Sequence, residues 1–516
     1  MGFGAQDIDV PVILNYEGAE MKFSLSELET YAQGYPLIPV FRTVRTDAAS
    51  PVDLLRRLKK YSHKFFLLEH TGSNKAGEPV WDRYAYIGCA PSLEISCVDG
   101  RVTLNAAQGT YSFETEDPIG CLREVISQNR APRLPGLPPF FGGFAGYFSY
   151  EYIHLSEPTC HFCSENTDHD RDFDLMLFDR LYVLDRQEGE LYLICSVATD
   201  RLSENVHQAQ AILDEMERVI SGPEAEPEPL RLRSGFSAIY SKQTYGRMVQ
   251  QAKDYIQRGD VAQIVLTNGQ RASVEGSLID TYALLRRTDP TRYMCYFSTG
   301  EVEAAAASPE PIIKLKDGVV MTERLAGSYA RGRTPEEDTA QSEELLHDAK
   351  AIDEHNMLVD DSRNEFGFVS KIGTVQVHNY LNVVRCSRVM HLGSTITGEL
   401  KDDKDALDVI NAIMPSGAVS GAPKIRSCEV INEIEQERRS IYGSAVGCIG
   451  FDGDADFFVF IHSAFIRGGQ LTVRAGGGIV IDSVAEEEYQ ESLVKTEAML
   501  NTIRLAAEGK YHDFDT

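Results

Sequence analysis

The chain has 516 residues, with 78 acidic against 50 basic side chains and a net charge of −28. That balance argues against nucleic acid and anionic membrane as partners, so an anionic small substrate would need its own basic pocket. The length exceeds one ordinary core and predicts two domains or one large composite domain.

The start of the chain is polar, with one strand-like run over 10–14. A helix is predicted over 51–61 and short strands over 64–69, 83–87, 93–97 and 102–104, with turn signals between them. Helical spacing returns over 118–129, followed by a proline-rich connection and the run FFGGFAGYFSYEY over 140–152. A strand pair is predicted over 174–185 and 190–196, around RQEGE, and a helix over 204–220. The segment SGPEAEPEPLRLRS combines Pro, Gly and Glu without hydrophobic period. It marks a linker at 221–238 between an N-terminal domain, 20–220, and a catalytic domain, 239–508.

Beyond the linker, helices are predicted over 244–259, 278–288, 343–364, 405–413 and 486–508. A strand is predicted over 261–267, and a hairpin joins 455–466 to 470–475. Between two helices lies PSGAVSGAPKIR, 415–426. Its glycines permit unusual backbone angles. Pro423 suits a helix start, and the N–H groups there, beside Lys424 and Arg426, form a candidate anion site; the alternative is a tight loop capped by a helix.

Ten scattered cysteines fit a reducing cytoplasm. The N-terminus carries no secretory pattern, Gln6 stands where a myristoylation motif needs Ser or Thr, and no apolar run approaches membrane length. Cys160 and Cys163 have the spacing of half a zinc site but lack a second pair. Glu488, Glu491 and Lys495 share one face of the last helix, and Lys350, Glu354, His355 and Asp361 lie on the 343–364 helix. Two such helices facing each other could hold Mg2+ with few protein oxygens; solvated helix faces are the alternative. Gly476, Gly477 and Gly478 need close backbone approach or positive φ, for a ligand carboxylate or a β-bulge.

Taken in order, GDVAQIVL, ASPEPIIKL, RLAGSYARG, DEHNMLVDDSRNEFG, VMHL, PSGAVSGAPKIR, YGSAVG, RAGGGIVIDS and EEEYQESLVKTEA resemble the chorismate-utilising enzymes. The similarity is greatest to anthranilate synthase component I and runs from about Thr244 to Arg504. FFLLE, DRYAYIG and FFGGFAGYFSYE extend it towards the N-terminus. The resemblance implies an α/β (α+β) fold of two large sheets with helices around a central cleft. It implies a tryptophan-biosynthetic lyase that turns chorismate and ammonia into anthranilate and pyruvate, with Mg2+ as cofactor. The ammonia would come from a separate glutamine amidotransferase subunit, making a hetero-oligomer.

Carried over residue by residue, the resemblance assigns Glu354 and Glu491, with Glu488 nearby, to the metal. It assigns Glu310 as the acid for the leaving ring hydroxyl and His391 to the elimination. Gly327, Ser328 and Lys495 fall at the substrate, and Tyr442 and Gly476–Gly478 at its second carboxylate. Gln263 stands where water-using relatives carry a lysine base. Ala326 stands where 4-amino-4-deoxychorismate synthases typically carry a nucleophilic lysine. Both substitutions favour ammonia as nucleophile and the anthranilate route.

Other positions depart from the family. His462 replaces an arginine carboxylate clamp, and Arg474, where glutamine is usual, is a candidate to restore that charge. Ala351 replaces a glutamate and Ala418 a threonine. These changes leave two alternatives open: a 2-amino-2-deoxyisochorismate synthase, or a catalytically impaired paralogue acting as a binding subunit. The family's tryptophan-responsive segment reads Leu67-Leu68-Glu69-His70, its partner Arg292-Tyr293-Met294, and the changes predict weak or absent inhibition.

Overall fold

The computed structural model describes residues 23–46, 48, 50–73, 79–164, 166–386 and 389–509. The expected strand over 10–14 lies outside them. The architecture is two large antiparallel sheets, of 13 and 11 strands among the described residues, with helices on their outer faces.

Alternation explains the layering. Successive strand side chains point to opposite faces. Along Phe65–Ser73, Phe66 and Leu68 enter the core between the sheets. Phe65 and Leu67 face outward into a second core, against helices Pro51–Leu58, Leu202–Ile220, Ile279–Thr288 and Ala485–Ala507. The intersheet core also takes Phe144 and Phe148 from Gly143–Phe148 and Phe457 from Ala455–Val459.

Each sheet contains strands from both sides of the 221–238 segment. In the larger, Phe65–Ser73 pairs with Tyr293–Ser298; in the smaller, Gly143–Phe148 pairs with Ala445–Gly450. The segment itself contributes Arg231–Leu232 and Ser237–Ala238 to the edge of Gln263–Glu275.

Three sequence expectations are corrected. The 174–185 strand is two strands, Phe173–Phe178 and Arg180–Asp185, which lie in different sheets. The 343–364 helix is also two, Pro335–Leu345 and Ala349–Val369, because Asp348 caps the second by accepting hydrogen bonds from the Lys350 and Ala351 amides. The first arm of the predicted hairpin breaks after Val459: Ala455–Val459 belongs to the smaller sheet and Ser463–Arg467 to the larger. Residues 460–462 cross between the sheets, and His462 takes φ +48, a left-handed turn directly before the second strand.

Candidate active site

A cleft of about 1890 Å³ opens between the two sheets and the helices Ala349–Val369 and Ala485–Ala507. Its lining includes Gln263, Glu310, Ala326, Gly327, Glu354, His391, Ala418, Tyr442, His462, Arg474, Gly476, Gly478, Glu488, Glu491 and Lys495. Residues scattered over more than two hundred sequence positions are thus gathered on one surface. Ser328 follows Gly327 in strand Val319–Ala330, but its side chain lies outside the described residues.

One wall is the loop after helix Ala406–Ile413. Its Ser416–Ser420 segment forms a short 3-10 turn, and Pro423 caps the next helix, Lys424–Glu435. The loop is held from beneath. Buried Arg439 donates to the carbonyls of Val419 and Val265, 2.5 and 2.6 Å away, and pairs with Glu435 at 2.7 Å. The predicted anion site at this helix start is corrected: Lys424 pairs with Glu365 at 2.6 Å and Arg426 with Glu429 at 3.0 Å, so protein carboxylates neutralise both cations. Ala418 does line the cleft.

Glu310 is buried. Desolvation pushes its carboxyl up to about 7, against the opposing pull of Arg324, 3.7 Å away. Ser416 Oγ sits 3.4 Å from the same carboxylate. Arg324, which sequence reading did not single out, is itself buried; it contacts Ser362 Oγ at 2.5 Å and Glu365 at 3.4 Å. Nothing in sequence distinguishes such a buried arginine from a surface one.

His391 Nδ1 lies 2.7 Å from the Gly327 carbonyl. A carbonyl only accepts, so Nδ1 carries the proton and the neutral ring presents its Nε2 lone pair. Desolvation lowers the imidazole pKa, favouring that neutral form. Gly327 has φ +64, and a Cβ there would come within 2.9 Å of Ala351 and Leu345.

Across the cleft, Glu354 faces the carboxylates of the last helix. Its pKa is raised by desolvation first, with Glu491 adding repulsion and Lys350 and Lys495 opposing. Glu488 is raised likewise, with Glu491 again contributing. Lys495 pairs with Glu491 at 2.7 Å and donates to the Gly476 carbonyl at 2.9 Å. Asp353, unnoticed in the sequence, also lines the cleft. Ala351 is not among the lining residues: it is buried with Leu345, Met390 and Leu392, directly behind Gly327, where a Cβ would come within 2.9 Å of it. The helix stripe facing the cleft runs through 350, 353, 354 and 357 instead.

Gly476, Gly477 and Gly478 continue strand Gln470–Ile479 in unbroken register and without positive φ. Close approach explains them. A Cβ on Gly476 would lie 3.2 Å from Tyr442 Oη, on Gly477 3.3 Å from Glu488 and on Gly478 2.5 Å from Gln263. Arg474 precedes them, 3 % exposed; its Nη2 donates to Glu437 at 2.6 Å. His462 opens onto the same cleft from the crossover.

The Glu69 region adjoins the cleft. Glu69 is buried and held by Arg186, Arg286 and the Tyr282 hydroxyl. His70 pairs with Asp456 at 3.4 Å, which also accepts from Tyr293 Oη at 2.8 Å. Arg292 pairs with Glu323, and Met294 is buried.

Away from the cleft, Asp99, His154 and Asp172 bring three ligand atoms within 4.8 Å of one another, a candidate metal-binding cluster. Arg438 approaches the same group, 2.9 Å from Asp99. Cys160 is buried and the exposed Cys163 bonds Asn432; among the described residues neither belongs to a cluster that could hold a metal. Among the described residues, no helix is long and apolar enough to cross a membrane.

Residues 67–501 match the chorismate binding enzyme family. Anthranilate synthase component 1 of Aquifex aeolicus is 34% identical over 501 residues, covering 95% of this chain and 99% of that protein. The Acinetobacter calcoaceticus protein of the same name is 35% identical over 94% of this chain and 99% of its own length. The crystal structure of anthranilate synthase component I from Streptococcus pneumoniae superposes with a TM-score of 0.72 at 32% identity, covering 81% of this chain and 92% of that one. The fold and cleft are those of a chorismate-binding enzyme. Within that class, the chain belongs to the anthranilate synthase component I family.

Proposed function

We infer that the chain is the large subunit of an anthranilate synthase, converting chorismate and ammonia to anthranilate, pyruvate and water. The observation that carries this reading is the placement of Glu310, protonated up to about pH 7, and neutral His391 in one cleft. Glu310 protonates the departing ring hydroxyl, which leaves as water while ammonia bonds to the ring. His391 Nε2 then takes the ring proton as the enolpyruvyl group leaves as pyruvate, and the ring becomes aromatic. Gln263, beside Gly478, has no basicity to activate water, which suits ammonia as nucleophile. Ala326 leaves no amine for a covalent adduct.

The oxygen donors fit a hard divalent cation. Glu491 repels both Glu354 across the cleft and Glu488 on its own helix, and burial already disfavours the charge on those two, a cost that a cation would relieve. These residues would hold Mg2+, with the ligand's ring carboxylate and water completing the sphere; the ion would supply electron withdrawal at that carboxylate. Gly327, Ser328, Lys495 and Ala418 would line the ring, and Tyr442, His462 and Gly476–Gly478 the second carboxylate. The family relationship supports a glutamine amidotransferase partner as ammonia source and a place in tryptophan biosynthesis.

The test is product analysis. Purified chain with chorismate, Mg2+ and ammonium should yield fluorescent anthranilate and pyruvate in equal amounts. An amino intermediate accumulating without pyruvate would favour the aminodeoxyisochorismate reading, which Ala418 and His462 motivate. No turnover even in high ammonium would favour a binding subunit.

A further inference from the structure

The cleft contains a guanidinium group with a spare arm. Arg474 is 3 % exposed, yet it lines the cleft. Its Nη2 is fixed on Glu437, which is shared with Arg271. Its Nη1 is buried and has no hydrogen-bond partner. Buried polar atoms are normally paired, and an arginine has only donors to offer. An unpaired, always-charged donor on the wall of a cleft is therefore suited to an anion that arrives from outside.

The surroundings are shaped for this side chain. Gly269 faces Arg474 on the adjoining strand, where a Cβ would lie 3.0 Å from Arg474 Cγ and 2.2 Å from the Val473 carbonyl. Any larger residue at Gly269 would displace the arginine. Tyr442 is buried beside Gly476, two positions along the strand from Arg474: a Cβ on Gly476 would lie 3.2 Å from its phenol oxygen. One charge of the Arg271–Glu437–Arg474 group is left uncompensated by Glu437, so the group presents a net positive face.

We propose that Arg474 Nη1 is the anion anchor of this cleft, binding the side-chain carboxylate of the substrate beside Tyr442. The role left vacant at His462 is then filled from the neighbouring strand, and specificity for a dicarboxylate resides in Arg474. The proposal rests on chorismate as the ligand, the reading given above.

Equilibrium titration with chorismate in the presence of Mg2+ tests it, comparing wild type, Arg474→Gln and Arg474→Gln/His462→Arg. The first change should weaken binding by about 10–100-fold, the range for a lost charged hydrogen bond, and raise KM more than it lowers kcat. Adding His462→Arg should recover part of the loss. A second ligand, chorismate esterified at the side-chain carboxylate, separates binding from a structural role. Wild type should discriminate against the ester, and Arg474→Gln should not. Arg474→Gln with native thermal stability and unchanged chorismate affinity would overturn the anchor alone, as would equal discrimination by both proteins. Wild type that neither binds nor converts chorismate would overturn the functional reading and the anchor with it.

Discussion

In the proposed reaction, Glu310 and His391 divide the proton traffic by environment. Burial raises the carboxyl to about 7 and lowers the imidazole, so acid and base coexist near neutrality. If Glu310 is the acid proposed, it acts while protonated, and its active fraction falls as pH rises through about 7. A pH–rate profile should show an alkaline limb near 7, which Glu310→Gln removes along with most of the turnover. The cleft carboxylates have a different sensitivity. Glu354→Gln or Glu491→Gln should each lower turnover by more than about 100-fold, beyond the 10–100-fold typical of outer-sphere partners. Chelation should abolish activity, and added Mg2+ should restore it in wild type only. These acidic residues were legible in the sequence because their motifs occur in a fixed order. Asp353 and Arg324 were not, because which face of a helix or strand reaches a cleft depends on tertiary packing. Ala351 shows the same limit from the other side, since its burial in an apolar cluster behind Gly327 could not be read from the motif.

Among the elements, the break between Pro335–Leu345 and Ala349–Val369 sets the phase of the cleft-facing stripe. A continuous helix would carry that phase through 346–348 without the cap. Asp348 accepts from two amides and from Tyr329 Oη at 3.0 Å. Asp348→Ala should cost about 1 kcal/mol, read from chemical denaturation, and should lower chorismate affinity by loosening Glu354. Pattern reading missed the cap because Asp348 sits inside a long polar run with helical character on both sides. It also missed strands such as Pro311–Lys316 and Gln376–Arg385, and it ran Ala455–Val459 into Ser463–Arg467, since an apolar stretch does not announce a change of sheet. In the Glu69 region, Glu69 is already held by Arg186, Arg286 and Tyr282, and Arg292 by Glu323. Saturating tryptophan should leave the rate unchanged in a steady-state assay.

For the molecule as a whole, the two-sheet class and the location of the cleft were legible from the ordered motifs, while the mixing of early and late strands in both sheets was not. Pairing between distant strands leaves no periodic trace. Phe65–Ser73 needs Tyr293–Ser298, and Gly143–Phe148 needs Ala445–Gly450. Calorimetry should therefore show one transition for the intact chain, and residues 239–508 expressed alone should be insoluble because both sheets lose central strands. The same pairing has a consequence during synthesis. When Gly143–Phe148 leaves the ribosome, its partner is still roughly three hundred residues from being made. At about 5–20 residues per second, that apolar edge waits on the order of 15–60 s. Phe173–Phe178 covers its other edge early, but the edge left open so long is a natural client for a chaperone, and the yield of this chain in a cell should depend on how fast it is translated and on what shields that edge meanwhile.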